Sequence, residues 1–230
     1  MAQEVTLLSE ILEKPIAEKI GEFEFLTGTI EGHDVILLRC GIGKVNAAVG
    51  CALMVRVFGP DFVVNTGSAG GIGEGLRFGD VIVSTGLLYH DVDLTAFDYA
   101  PGQLPGRSSR IFSTDGGLVA TARKALGELK AEGILPADIG FREGIIGTGD
   151  TFMHREPDIA KLRGQFPEVA AVEMEGAAIA HCCALLSVPA LVIRSLSDIA
   201  GEESAVTFEE FLPVASRHSA EIVRRIVKNS

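Results

Sequence analysis

The sequence predicts a single α/β domain over residues 1–230, a three-layer α/β/α sandwich whose central sheet is mixed but mostly parallel. Two observations carry this reading. Apolar runs of strand length, rich in Val and Ile, recur along the chain and alternate with stretches of helical period, the pattern of a sheet covered by helices on both faces. A chain of 230 residues also buries a substantial core without disulfide or metal staples.

Taken in order, Glu22–Ile30 and His33–Cys40 read as strands around a turn at Glu31-Gly32, and Val45–Phe58 as a helix. Phe62–Asn65 reads as a short buried strand, followed by further strands at Asp80–Thr85, Gly144–Gly147, Val169–Val172 and Ala190–Arg194. Helices are predicted over Gly117–Lys130, Gly176–Leu186 and Phe208–Val227. The least patterned stretch, Asp91–Arg110, holds Pro101 and Pro105 and suits a functional loop better than an interdomain linker. Gly176–Ile193 carries no Asp, Glu, Lys or Arg across 18 residues, the minimum length for a membrane span. His181, Ser187 and Pro189 interrupt it, so it reads instead as a helix and a buried strand divided at Val188-Pro189.

Lys and Arg total 20 against 31 Asp and Glu, a formal net charge of −11. Such a chain repels phosphate backbones and anionic lipid surfaces, which argues against nucleic-acid and membrane partners. Cys40, Cys51, Cys182 and Cys183 sit among apolar residues without the paired spacing of a zinc site, and read as buried reduced thiols. No positively charged, apolar leader precedes Glu4 and Glu10, so a reducing, cytoplasmic setting is expected.

In open α/β sheets ligands bind beyond the carboxyl ends of strands, and three such ends stand out. Thr66-Gly67-Ser68-Ala69-Gly70-Gly71-Ile72-Gly73 lets backbone N–H groups approach a polar ligand, with Ser68 able to donate or accept; the same glycines also suit an ordinary turn. Neither this loop nor Gly41-Ile42-Gly43-Lys44 matches a P-loop or a dinucleotide fingerprint. Glu173-Met174-Glu175 offers two carboxylates that alternation sends the same way if the chain is still extended, although acidic residues also serve a helix start. Ser195-Leu196-Ser197-Asp198 delivers hydroxyls and a carboxylate, or else a cap or Asx turn. Together these ends suit a neutral, hydroxyl-rich ligand and carboxylate acid/base chemistry.

Met1 to Leu8, Gly41 to Val45, Asn65 to Gly71, Tyr89-His90-Asp91, Thr95-Ala96-Phe97, Gly102 to Gly106, Gly149 to Phe152, Val172 to Gly176 and Arg194 to Asp198 together resemble the 5′-methylthioadenosine/S-adenosylhomocysteine nucleosidases, in family order and spacing. The resemblance implies the nucleoside phosphorylase-like sandwich, a homodimer and no cofactor. It also implies hydrolysis of the N-glycosidic bond of an adenine nucleoside thioether, as in methionine salvage. On the matching positions Asp198 would protonate the adenine leaving group, Glu175 would hold the ribose hydroxyls, and Glu4 would activate the attacking water. Phe152 would stack on adenine, with backbone near Met153 reading its edge; Met174 would lie under the ribose and Ser68 near the reacting centre. Glu173, Arg194 and Ser197 would complete the site, Ile42 and Phe208 would line the 5′-alkylthio pocket, and Leu94, Phe97 and Pro105 would come from the neighbouring protomer. Plain core packing is the competing fate of Phe152, Met174 and Phe208.

One feature departs from the family pattern. An apolar strand and a small-residue turn ordinarily precede the catalytic glutamate, whereas Met1 stands three residues before Glu4. The expectation is an absent first strand, with unpaired backbone groups on its neighbours. Two other functions fit the residues less well. A phosphorylase of the same superfamily needs a cationic phosphate pocket, and the strand ends offer Arg194 without an arginine cluster; a non-catalytic nucleoside-binding module would not need Glu4, Glu175 and Asp198. His90, Asp91 and Asp93 compose a conceivable hard-cation site, but loop acids are ordinarily just solvated.

Overall fold

The computed structural model describes the backbone of residues 2–199 and 204–230 and the side chains of residues 5–199 and 213–230. Helix α1 (Ala2–Glu10) leads into three strands, β1 (Glu13–Ile20), β2 (Phe23–Ile30) and β3 (His33–Leu38). There follow α2 (Lys44–Phe58), β4 (Val63–Gly71), β5 (Val81–Tyr89), β6 (Phe112–Ser113) and α3 (Gly116–Ala131). The chain then runs through β7 (Phe141–Thr148), α4 (Glu156–Gln165), β8 (Val169–Glu173), α5 (Gly176–Leu186), β9 (Ala190–Ile199) and α6 (Ser204–Lys228).

Local chemistry accounts for the boundaries. Asp115 accepts the Leu118 N–H at 2.9 Å and starts α3 as a side-chain cap. Gly59, with φ 61°, ends α2 in the left-handed conformation that costs glycine little. The uncharged run from Gly176 divides as expected, because α5 stops at Ser187 and Val188-Pro189 lead into β9. Among the described residues no helix is long and apolar enough to cross a membrane.

The strands form two sheets. β1, β2 and β3 make an antiparallel meander. The other six run in the order β6-β5-β7-β8-β4-β9, and β9 also pairs back onto β5, so that five strands close into a ring. β4–β9, β5–β7 and β7–β8 are parallel; β4–β8, β5–β6 and β5–β9 are antiparallel. One face packs on α2 and α5 through Ala47, Cys51, Ala177, Ala178 and Cys183. Another packs on α3 and α6 through Leu118, Ala122, Leu126, Ile222 and Ile226.

β3 is paired only with β2. β4 is paired with β9 along its length and with β8 only at Gly70 and Gly71. Among the described residues, therefore, no strand lies beside β3 on one edge, nor beside Val63–Ala69 of β4 on the side away from β9. Between them runs a cavity of about 1410 Å³, lined by residues 33–42 and 58–70 and floored by Leu8, Val223 and Val227.

Candidate active site

β4, β8 and β9 meet at one end of the ring, and their ends deliver side chains to the same cavity. Ile42, Ser68, Phe152, Glu173, Met174, Glu175, Arg194, Ser197 and Asp198 all line it. The expected site residues converge although their segments lie far apart in the chain. Val5, the residue after Glu4, also lines it; the side chains of Glu4 and Phe208 lie outside the described residues. Leu94, Phe97 and Pro105 are not among the lining residues, and Phe97 is 71% exposed.

The glycine-rich segment expected as a loop is strand: β4 continues to Gly71, and β9 likewise runs through Ser195–Asp198 to Ile199. What re-aims the side chains is a bulge. Ala69 pairs with Leu196 and Gly70 with Asp198, leaving Ser197 as an extra residue on β9. A bulge breaks strict alternation, so the consecutive residues Ser197 and Asp198 both reach the cavity. Ser197 Oγ donates to Asp198 Oδ1 at 2.9 Å, and the aspartate is 2% exposed.

Glu173 and Arg194 form an ion pair of 2.5 Å with both side chains 2% exposed. Arg194 Nη2 also donates to Asn65 Oδ1 at 2.5 Å. The Glu173 carboxylate takes the Thr148 hydroxyl on one oxygen, and on the other the N–H groups of Glu175 at 3.1 Å and Gly176 at 2.7 Å. Glu173 thereby holds the bend between β8 and the start of α5, so its neighbour Glu175 is placed rather than free. Removing one partner of a buried pair ordinarily costs about 3–5 kcal/mol, because the other charge stays buried.

Glu175 is the more open carboxylate. Its Oε1 accepts the Gly43 N–H at 3.0 Å, and its Oε2 lies 3.9 Å from Arg194 Nη2. Burial pushes its pKa above the ordinary glutamate value, while Arg194 pulls the other way. Gly43 reaches it with a positive φ of 94° and ψ of 161°, a backbone conformation that residues with a Cβ rarely adopt. Phe152 is 48% exposed on the cavity rim, which sets aside core packing for that ring, whereas Met153 packs its side chain against the cluster of Ile72, Leu88 and Ile159.

Several groups of the site have no counterpart in the expectations above. Asn65 and Thr148 stabilise the Arg194–Glu173 pair, and Gly43 supplies an N–H to Glu175. The paired glycines of Gly41-Ile42-Gly43, both of which take positive φ, are the sequence signal for the last. Asp93 spends its carboxylate on the N–H and hydroxyl of Thr95, at 3.0 and 2.7 Å. Among the described residues no group of three or more His, Cys, Asp or Glu is placed to hold a metal ion.

A closed strand ring flanked by helices, with Glu173, Glu175, Asp198, Ser68, Ser197 and the exposed Phe152 around one cleft, is the architecture of a nucleoside phosphorylase-like α/β protein. The phosphorylase superfamily pattern matches residues 1–228. A 5′-methylthioadenosine/S-adenosylhomocysteine nucleosidase of Geobacillus thermodenitrificans is 49% identical over 223 residues, covering 97% of this chain and 91% of that protein. The crystal structure of a nucleosidase of that kind from Colwellia psychrerythraea, in complex with adenine, superposes with a TM-score of 0.94 at 46% identity, covering 100% of this chain and 92% of the other. Another from Neisseria meningitidis, in complex with methylthio-immucillin-A, has a TM-score of 0.94 at 43% identity, with 100% and 96% covered. The chain belongs to the 5′-methylthioadenosine/S-adenosylhomocysteine nucleosidase family.

Proposed function

We propose that this chain hydrolyses the N-glycosidic bond of 5′-methylthioadenosine and S-adenosylhomocysteine, releasing adenine and the 5-thioribose product, without a cofactor and in the cytoplasm, where the products enter methionine salvage. The observation that carries the reading is the delivery of Glu175 and Asp198 to one cavity by β8 and β9. Adenine leaves poorly as an anion. Asp198 supplies a proton to its N7, and as the bond stretches the ribose takes on oxocarbenium character. Fixed carboxylate charge stabilises that cation more than the neutral substrate. Glu175 accepts the 2′- and 3′-hydroxyls, and Glu4 takes the proton of the attacking water. Phe152 stacks on adenine while backbone near Met153 reads its edge. Met174 lies under the ribose with Ser68 beside it, and Ile42 and Phe208 meet the 5′-alkylthio group.

Water rather than phosphate is favoured as the acceptor by the charge balance of the cleft. Arg39 and Arg194 are the arginines lining the cavity, and Arg194 is already paired with Glu173. Methylthioadenosine incubated with and without phosphate is therefore expected to yield free adenine and methylthioribose in both cases, by chromatography of the products. Appearance of methylthioribose 1-phosphate would replace this reading with a phosphorylase.

The same proposal includes a homodimer in which Leu94, Phe97 and Pro105 complete the pocket of the neighbouring protomer. Apolar side chains left exposed support it: Val45 and Val49 on successive turns of α2, Leu185 on the adjoining α5, and Phe97. Burying such a patch between two copies removes it from water. Sedimentation is expected to give a dimer of the 24.3 kDa chain, and Phe97→Ala is expected to raise KM for methylthioadenosine. A monomer with full activity would refute the shared pocket.

A further inference from the structure

Lys44, Asp91 and Asp150 form a charged cluster that the proposed reaction does not use, and it ties together three segments arriving from different strands. Lys44 opens α2 directly after Gly41-Ile42-Gly43, Asp91 follows β5, and Asp150 follows β7. Lys44 Nζ donates to Asp91 Oδ2 at 2.5 Å and lies 3.7 Å from Asp150 Oδ2. Two backbone groups complete the cluster: Lys44 N–H donates to Asp150 Oδ1 at 2.8 Å, and Asp150 N–H to Asp91 Oδ2 at 2.9 Å. The Lys44 ammonium also stands 5.6 Å from the centre of the Tyr89 ring, within cation–π range. The Lys44 and Asp91 side chains are 24% and 23% exposed, so solvent screens this pair less than one on open surface. Burial pushes the Asp91 carboxyl up, but the Lys44 ammonium and the Asp150 N–H outweigh it and hold its pKa below the ordinary aspartate value.

Two of the tied segments carry groups of the site. Gly43, one residue before Lys44, gives its N–H to Glu175, and Ile42 lines the cavity. Phe152, two residues beyond Asp150, lines it from the rim. The two loops lie close enough that a Cβ on Gly43 would stand 3.1 Å from Asp150 Oδ1. We propose that Asp91, acting through Lys44 and Asp150, is a positioning residue that sets the separation between the Glu175-holding loop and the Phe152 loop, and hence the fit of sugar and base together. This rests on the nucleosidase reading above.

The test separates binding from chemistry. Asp91→Asn is expected to raise KM for methylthioadenosine about tenfold with kcat within about threefold of wild type, while the calorimetric Kd for free adenine, which has no sugar to span the two loops, changes less than about threefold. Lys44→Met is expected to do the same, Lys44→Arg to stay near wild type, and the Asp91→Asn/Lys44→Met double variant to be no worse than either single one, because they break one unit. The proposal is overturned if KM stays within about twofold, or if kcat falls at unchanged KM, as fewer folded molecules would give. Additive losses in the double variant would overturn it as well. If Asp91→Asn yields no folded protein, Lys44→Met and Lys44→Arg are read in its place: a KM raised about tenfold by Met and near wild type for Arg supports the proposal, and a KM within about twofold in both overturns it. A wild-type protein that releases no adenine removes the nucleosidase reading and this proposal with it; an active wild type with insensitive variants removes this proposal alone.

Discussion

Asp198→Asn is expected to lower turnover of methylthioadenosine by at least about 10², the ordinary worth of a positioned general acid, with little change in thermal stability. An amide occupies the same volume and can still accept the Ser197 hydroxyl, which lies 2.9 Å from Oδ1 in wild type. What it cannot do is release an acidic proton as adenine departs. The loss is therefore expected in kcat, measured by adenine release, while adenine affinity is retained. Turnover within tenfold of wild type would refute the proton-donor role and return Asp198 to a structural part in the β9 bulge.

The second large effect concerns the trough between β3 and β4. At about 1410 Å³ it exceeds the roughly 300–1,000 Å³ of small-molecule sites, and much of it is bounded by two sheet edges and apolar side chains rather than by catalytic groups. Val35, Leu37, Phe62, Val64, Val223 and Val227 all face it. That shape fits one additional extended segment, paired to both edges, with its side chains in the apolar walls. Joining about six apolar residues ahead of Met1, a span of roughly 20 Å when extended, is expected to place a strand in the trough. Burying three or four aliphatic side chains at about 1.5–3 kcal/mol each, offset by the ordering of the segment, is expected to raise Tm by on the order of 10 °C. Activity is expected to rise with it, because the extension continues into Glu4 and Val5. Unchanged Tm and unchanged turnover in the extended chain would sink the idea that this trough is a strand's place.

The fold was legible where burial imposes a pattern. Val169–Val172 and Ala190–Arg194 lie within strands enclosed on both faces, and their Val, Ile and Ala runs say so. The meander hid its first member, Glu13–Ile20, because seven of its eight residues are exposed and Pro15 interrupts it, tolerable on an edge but not a strand signal. Helix α4 hid for a related reason, since only Ile159 and Leu162 of its ten residues are buried. The limits of β4 and β9 were misjudged because glycine and serine read as loop, yet in this ring they are the residues thin enough to let strands pack closely; a Cβ on Gly71 would stand 2.8 Å from Leu196 Cδ1. Of the site, the carboxylates were visible at strand ends, whereas the partners of Glu173 were not. Thr148 is 25 residues away in sequence and Arg194 is 21, and nothing local marks such a pairing.

The return of β9 onto β5 bears on how this protein tolerates change. In an open sheet a strand can slide by two residues and remake its ladder, carrying its side chains along. Around a closed hoop the slide of one stave must be matched by every other, so Ser68, Glu173 and Asp198 keep their relative heights through a common circumference rather than through contacts with one another. Substitutions on the outer helices can then loosen the protein without dispersing its catalytic groups, and a cut or insertion that opens the hoop between β5 and β9 would disperse them even with every helix intact.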